Sequence, residues 1–202
     1  MAGVIRDRTD ARAALWRIAS GQRGYFTAAQ AREAGYSYQA QRYHAQRGNW
    51  NIVDRGIYRF REFDSLPGSD QDHLVRWALW SSGRAAASHT TALSVHDLGA
   101  ANPSEIHLTV PPGFRRRDGA VVLHRAALVD DDVEERDGVR VTTPVRAIVE
   151  CAAAQVDQDV LDSAVVDALD RGLTTRQRLL HAAQRLGARA ELGVERALRE
   201  TP

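Results

Sequence analysis

Residues 24–60 read GYFTAAQAREAGYSYQAQRYHAQRGNWNIVDRGIYRF, and this stretch decides the architecture of the amino-terminal part of the chain. Thr27 and Gln30 stand three apart before an alanine-rich segment, the spacing of a capping box in which each side chain satisfies the other's backbone N–H. Phe26 precedes the cap and faces Ala31 one turn on, as a hydrophobic staple does. The helix so begun is short, because Gly35 readily adopts the left-handed backbone that ends a helix. Ser37 caps the next helix, which runs YQAQRYHAQR over 38–47 and stops at Gly48. Residues 50–53 and 57–60 are rich in aromatic and β-branched side chains and flank the turn Asp54-Arg55-Gly56, a β-hairpin signal. Upstream, Ala11, Ala14, Leu15, Ile18 and Ala19 recur at helical spacing, which predicts a helix over 10–20 with Thr9 as its cap. A helix, a short helix pair around a glycine and then a hairpin predict a winged helix-turn-helix over 1–65.

The third helix points to DNA. Tyr38, Gln39, Gln41, Arg42, His44, Gln46 and Arg47 give it a run of planar hydrogen-bonding groups that a purely structural helix has little use for. Base edges in the major groove do use them: Gln pairs two-pronged with adenine and Arg with guanine. Gln39, Arg42 and Gln46 are separated by three and four residues, so one helical face presents all three. Arg55 and Arg59 on the wing are placed to meet flanking phosphates, which position a domain without reading sequence. Charge agrees. Residues 1–65 hold 11 Arg against 6 Asp/Glu, a net of +5, whereas 66–202 hold 16 Arg against 20, a net of −4. A basic head on an acidic body implies a polyanionic partner for the head, double-stranded DNA.

The remainder, 66–202, predicts a larger α+β domain with a small sheet and carboxy-terminal helices. Pro67 and Gly68 amid polar residues mark a linker. Apolar periodicity predicts a helix over 71–81 and another over 89–98, capped by Ser88 and closed by Gly99. Residues 106–110 alternate as a half-buried strand, and 120–125 and 139–142 predict two more, with the acidic stretch 130–137 between them. Thr143-Pro144 is a helix start with Pro at the first position. Three helices follow over 157–171, 175–186 and 190–199, the second behind a Thr174/Gln177 capping box.

The same residues argue against catalysis. There is no HExxH, GxSxG, Walker A or GxGxxG motif. Seven His residues form no close His/Cys cluster in the sequence; Glu105 and His107 share a strand face, but two groups do not make a site, so no metal and no cofactor is expected. Ser88-His89 lacks the elbow of a nucleophile. Cys151, the single cysteine, lies among alanines, fits a reducing cytosol and is expected to be buried. Arg115, Arg116 and Arg117 between Gly113 and Gly119 form a basic loop, either a phosphate contact or a solvated turn. No apolar run approaches the ~20 residues a bilayer span requires, and the opening MAGVIRDRTD lacks the apolar core of a secretory signal, so a cytoplasmic protein is expected.

Taken together, the motifs carry a resemblance. Gly24-YFTAAQA…Gly35 followed by Gly48-NW…Arg55-Gly56-I-Tyr58 resembles the amino-terminal domain of AbiEi-type antitoxins. Ser88-His89-TTAL…Leu98-Gly99, the strand at 106–111, the segment 138–144 and Asp170-RGLTT resemble that family's carboxy-terminal domain. The resemblance implies an antitoxin that represses its own operon at promoter DNA through the winged helix. It also implies that the carboxy-terminal domain neutralises a cognate nucleotidyltransferase-like toxin. A stand-alone transcriptional regulator, with a body that senses a ligand or mediates assembly, is the alternative. Related bodies precede nuclease domains with a Lys-containing motif; this sequence has no Lys and stops at Pro202, which favours a regulator.

Overall fold

The computed structural model describes the backbone of residues 2–65, 72–136 and 138–200, and the side chains of 10–65, 72–136 and 138–199. The Pro67-Gly68 linker lies outside the described residues. The chain divides into two compact units, Met1–Gly83 and Arg84–Pro202. The whole is α+β with helix predominating, and among the described residues no helix is long and apolar enough to cross a membrane.

The amino-terminal unit runs α1 (Ala2–Ser20), β1 (Tyr25–Thr27), α2 (Ala28–Glu33), α3 (Tyr38–Gln46), β2 (Trp50–Asp54), β3 (Ile57–Phe60), a 3₁₀ turn (Arg61–Ser65) and α4 (Asp72–Trp80). This is the element order of a winged helix-turn-helix, with β2 and β3 as the wing. Helix α1 starts earlier than its spacing predicts, so Thr9 lies within it rather than capping it; residues 2–9 contain no Pro, and their one glycine, Gly3, sits in the first turn. The capping box is present: Gln30 N donates to Thr27 Oγ1 at 3.1 Å and Thr27 N to Gln30 Oε1 at 2.8 Å. An N-cap needs extended backbone, and Thr27, at φ −94° and ψ 159°, also ends strand β1. That strand pairs antiparallel with β3 to give the order β1-β3-β2. Leu15, Ala19, Phe26, Ala31, Trp50 and Phe60 form the core. Phe26 meets Trp50 edge-on at 4.9 Å, Phe60 at a tilt at 4.8 Å and Tyr58 in a stack at 5.8 Å, so truncating it removes three ring contacts as well as its buried area.

Helix α4 belongs to this unit, although a domain boundary after residue 65 assigns it to the body. Leu74, Val75 and Trp77 are buried, Arg76 Nη2 donates to Asp54 Oδ2 at 2.9 Å, and Asp72 Oδ2 accepts from Arg59 Nη2 at 3.3 Å. The wing is therefore braced from behind by α4.

The carboxy-terminal unit holds a mixed five-stranded sheet: β4 (Ala86–Ala87), β5 (Ile106–Val110), β6 (Val121–Arg125), β7 (Val133–Arg136) and β8 (Val139–Thr142), in the order β6-β5-β4-β8-β7. Its helices are α5 (His89–Val95), α6 (Pro144–Ala153), α7 (Gln158–Asp170), α8 (Arg176–Leu186) and α9 (Ala188–Glu200). Val139 and Val141 alternate inward on β8, and Ala147, Ile148, Val149, Cys151 and Ala152 bury α6. Gly99, at φ +60°, ends the α5 segment against α7; a Cβ there would lie 2.7 Å from the backbone N of Ala164, so no side chain fits. Two local expectations are corrected. Ser88 occupies the N-cap position of α5 but caps nothing, because its hydroxyl is engaged by His89 Nδ1 at 3.0 Å. Thr175, not Thr174, caps α8, accepting from Arg178 N at 3.2 Å while Thr174 is buried.

Candidate nucleic-acid interface

Helix α3 is held by one buried side and leaves the other half open. Gln41, 2% exposed, donates its amide to the carbonyls of Ala28 and Tyr36, both at 3.2 Å. The expectation that Gln41 faces a partner is thereby corrected: its amide locks α3 to the start of α2 and the turn between them. Tyr38, Gln39, Arg42, Tyr43, Gln46 and Arg47 are exposed along one continuous side. Gln39, Arg42 and Gln46 lie in its middle, as their spacing predicts. Tyr38 and Tyr43 are 64% and 53% exposed, with Arg32 over the first ring at 5.2 Å and Arg47 over the second at 5.5 Å. Exposed tyrosines paired with arginines give the face flat polar surface that sequence reasoning undervalued in Tyr43.

His44 stands apart from that row. Its ring stacks on Trp50 at 4.8 Å and its Nδ1 lies 3.0 Å from Asn49 Nδ2, so it joins α3 to the wing rather than reaching outward. Arg59 is likewise turned inward. Its side chain is 18% exposed, its guanidinium lies over the Tyr25 ring at 4.9 Å, and it pairs with Asp72. Its expected place over a phosphate is corrected, because α4 supplies an acidic partner that local sequence does not reveal. Arg55 remains exposed at the wing turn, where the Arg76 hydrogen bond holds the Asp54 carboxyl below the usual carboxylate range. Neither Arg42 nor Arg55 makes an ion pair among the described residues. Counted over Met1–Gly83, the unit carries 12 Arg against 8 Asp/Glu, still a net of +4.

The carboxy-terminal unit offers two further features. A cleft of about 1000 Å³ is lined by the acids Asp131, Asp132 and Glu134, by Arg146, Arg178, His181 and Arg185, and by apolar side chains such as Val149 and Leu180. Elsewhere the fold unites histidines that the sequence keeps apart: His89, His107 and His124 place one ring nitrogen each within 4.8 Å of the others. Burial, reinforced by the neighbouring imidazoles, pushes His89 down to about 3 and His124 down to about 4. Glu150, its carboxyl raised by burial against the pull of Arg146, lies 3.8 Å from His89 Nδ1. Ser88 and Glu150 both approach that same ring nitrogen, so the three cannot relay a proton through the imidazole as a triad does.

Comparison with solved structures returns a crystal structure of the Rv2827c protein from Mycobacterium tuberculosis. The two share 15% identity over 95% of this chain and 82% of that one, with a TM-score of 0.52, a likeness of fold. No curated protein matches the chain. The family model of the AbiEi antitoxin C-terminal domain matches residues 85–198, which is nearly all of the second unit and more than half of the sequence. On that match the chain belongs to the AbiEi antitoxin family.

Proposed function

We propose that this chain is a cytoplasmic antitoxin that represses its own operon through the amino-terminal unit and neutralises a nucleotidyltransferase-like toxin through the carboxy-terminal one. The observation that carries the first half is the open side of α3, where Gln39, Arg42 and Gln46 are exposed together, with Arg55 exposed at the wing turn. Side chains of this kind read base edges, while a wing arginine anchors the backbone. Gln41, His44 and Arg59 support that surface from within and are not part of the contact set. The second half rests on membership in the antitoxin family, with the two-signed cleft of the body as the surface best suited to a protein partner. Apolar clefts suit small ligands; this one carries acids and arginines, charges of both signs, among its lining residues, which favours a charged protein surface over a sensed metabolite.

The test uses the full chain. It is expected to retard a duplex carrying its own promoter and, separately, to restore growth when the neighbouring toxin gene is driven from an unrelated promoter. Promoter binding without rescue would move the assignment to a stand-alone regulator.

A further inference from the structure

Three imidazoles from three elements meet on one face of the body's sheet. Strands β5 and β6 run parallel with Thr109 opposite His124, so His107, two residues before Thr109, projects from the same face as His124. His89, the first residue of α5, stacks over them: its ring lies within 18° of parallel to that of His124, with centroids 3.5 Å apart, and 5.8 Å from that of His107, so it must swing out of the stack for its Nε2 to point at an ion held by the other two. His107 Nδ1 and His124 Nε2 are 3.0 Å apart. We propose that His89, His107 and His124 bind one Zn²⁺ ion, through His89 Nε2, His107 Nδ1 and His124 Nε2.

The distance supports the ion. Zinc–nitrogen bonds of about 2.0–2.1 Å in a tetrahedron set neighbouring ligand atoms about 3.3 Å apart; the His107 and His124 nitrogens, 3.0 Å apart and sharing a hydrogen bond, need only a small separation to reach it. The surroundings of His89 support it independently. This residue holds a left-handed backbone at φ +53°, a conformation that is costly for a residue with a side chain and persists where its surroundings enforce it. Its Nδ1 faces Ser88 Oγ at 3.0 Å and the Glu150 carboxylate at 3.8 Å, which leaves Nε2 to ligate. Glu150 is 4% exposed and its Oε2 has no hydrogen-bond partner. An ion drawing charge from the ring would turn Nδ1–H toward that oxygen, the carboxylate–histidine–metal arrangement that orients zinc ligands. The backbone is pinned as well: Ser88 N donates to His107 O at 3.0 Å, and His107 N to Thr91 Oγ1 at 2.9 Å.

Donor chemistry selects the metal. Three imidazoles and no carboxylate in the inner set suit Zn²⁺ and disfavour Mg²⁺ and Ca²⁺, which require oxygen. Three protein ligands leave a fourth position for water. The role assigned to the ion is to tie α5 to β5 and β6.

The full chain, stripped with chelator and dialysed, is titrated with ZnCl₂ and separately with MgCl₂ by calorimetry. One Zn²⁺ per chain, no response to Mg²⁺ and a raised Tm are expected; substitution by Co²⁺ should give the intense visible bands of tetrahedral coordination. His107→Gln and His124→Gln should weaken binding by more than the roughly 10–100-fold that loss of an outer partner costs, whereas His73→Gln, at an exposed histidine of the amino-terminal unit, should leave Zn²⁺ binding unchanged. Should either variant fail to fold, imidazole NMR of the wild-type chain decides: Zn²⁺ should shift the rings of His89, His107 and His124 alone. No binding to the stripped chain, binding intact in folded His107→Gln and His124→Gln, or shifts confined to other histidines would overturn the proposal.

Discussion

Neighbouring residues on α3 do opposite work, and substitution separates them. Gln41 and Arg42 are adjacent, yet one is buried with both amide hydrogens on backbone carbonyls and the other is exposed. Gln41→Ala strips two carbonyls of their partner, so denaturant melts should show a loss on the order of 1–3 kcal/mol, with promoter preference unchanged where the protein is folded. Arg42→Ala should leave stability within about 0.5 kcal/mol and instead cost about 1–3 kcal/mol in binding to the preferred duplex, with relaxed sequence preference. Equal effects of the two on base preference would remove α3 from recognition. A second residue predicts pH dependence. His96 Nε2 donates to Thr142 O at 2.7 Å, while its buried Nδ1 makes no hydrogen bond and lies 3.8 Å from Glu134 Oε1. Burial holds the ring below its ordinary value; Arg136 and Arg171 add to that shift, and Thr142 and Glu134 oppose it. A ring kept neutral by folding stabilises the protein fully above its unfolded value of about 6.5 and loses that contribution as pH falls through the folded one. Urea melts should therefore show stability dropping below about pH 6.5, with a shallower drop in His96→Gln. The same slope in both proteins would assign the acid sensitivity elsewhere.

At the scale of elements, α4 is the test of how the wing is held. It contributes Asp72 to Arg59 and Arg76 to Asp54, and it buries Leu74, Val75 and Trp77. Residues 1–83 should therefore melt higher than residues 1–65 and bind promoter DNA more tightly, because the shorter piece loses the brace behind both wing strands. Identical melting of the two would show that α4 is dispensable to the head. The contribution of α4 was hidden because its partners lie on the far side of a linker, whereas the helix pair and the hairpin were legible because their determinants are local. A capping box, a Gly in the left-handed region and a turn between two apolar runs each operate within a few residues. Strand β4 is two alanines long and β1 only three residues, too short for alternation to register. Strand β7, VEER, was hidden in an acidic stretch because it pairs with β8 at the edge of the sheet and leaves Glu135 and Arg136 exposed. The histidine cluster failed to register for the same reason as α4: its members come from three elements that only the sheet and α5 bring together.

At the scale of the molecule, the chain pairs a basic unit with an acidic one, and the two proposed functions should come apart. With net charges of +4 over Met1–Gly83 and −3 over Arg84–Pro202, the proposed attraction to DNA belongs to the first unit. Binding that displaces condensed counterions weakens steeply with salt. Promoter affinity of the full chain should thus fall sharply between about 50 and 200 mM salt, and unchanged affinity over that range would contradict an electrostatic head. Changing Gln39, Arg42 and Arg55 together to Ala removes the proposed recognition groups and the proposed wing anchor without touching a buried side chain. That variant should lose repression of a promoter–reporter fusion. It should still rescue growth against the toxin expressed from an unrelated promoter, where repression has no part to play. Residues 1–83 should do the reverse, retaining promoter binding and giving no rescue. Rescue by residues 1–83 alone would sink the assignment of neutralisation to the body, and loss of rescue in a folded triple variant would show that neutralisation runs through the surface of α3 and the wing.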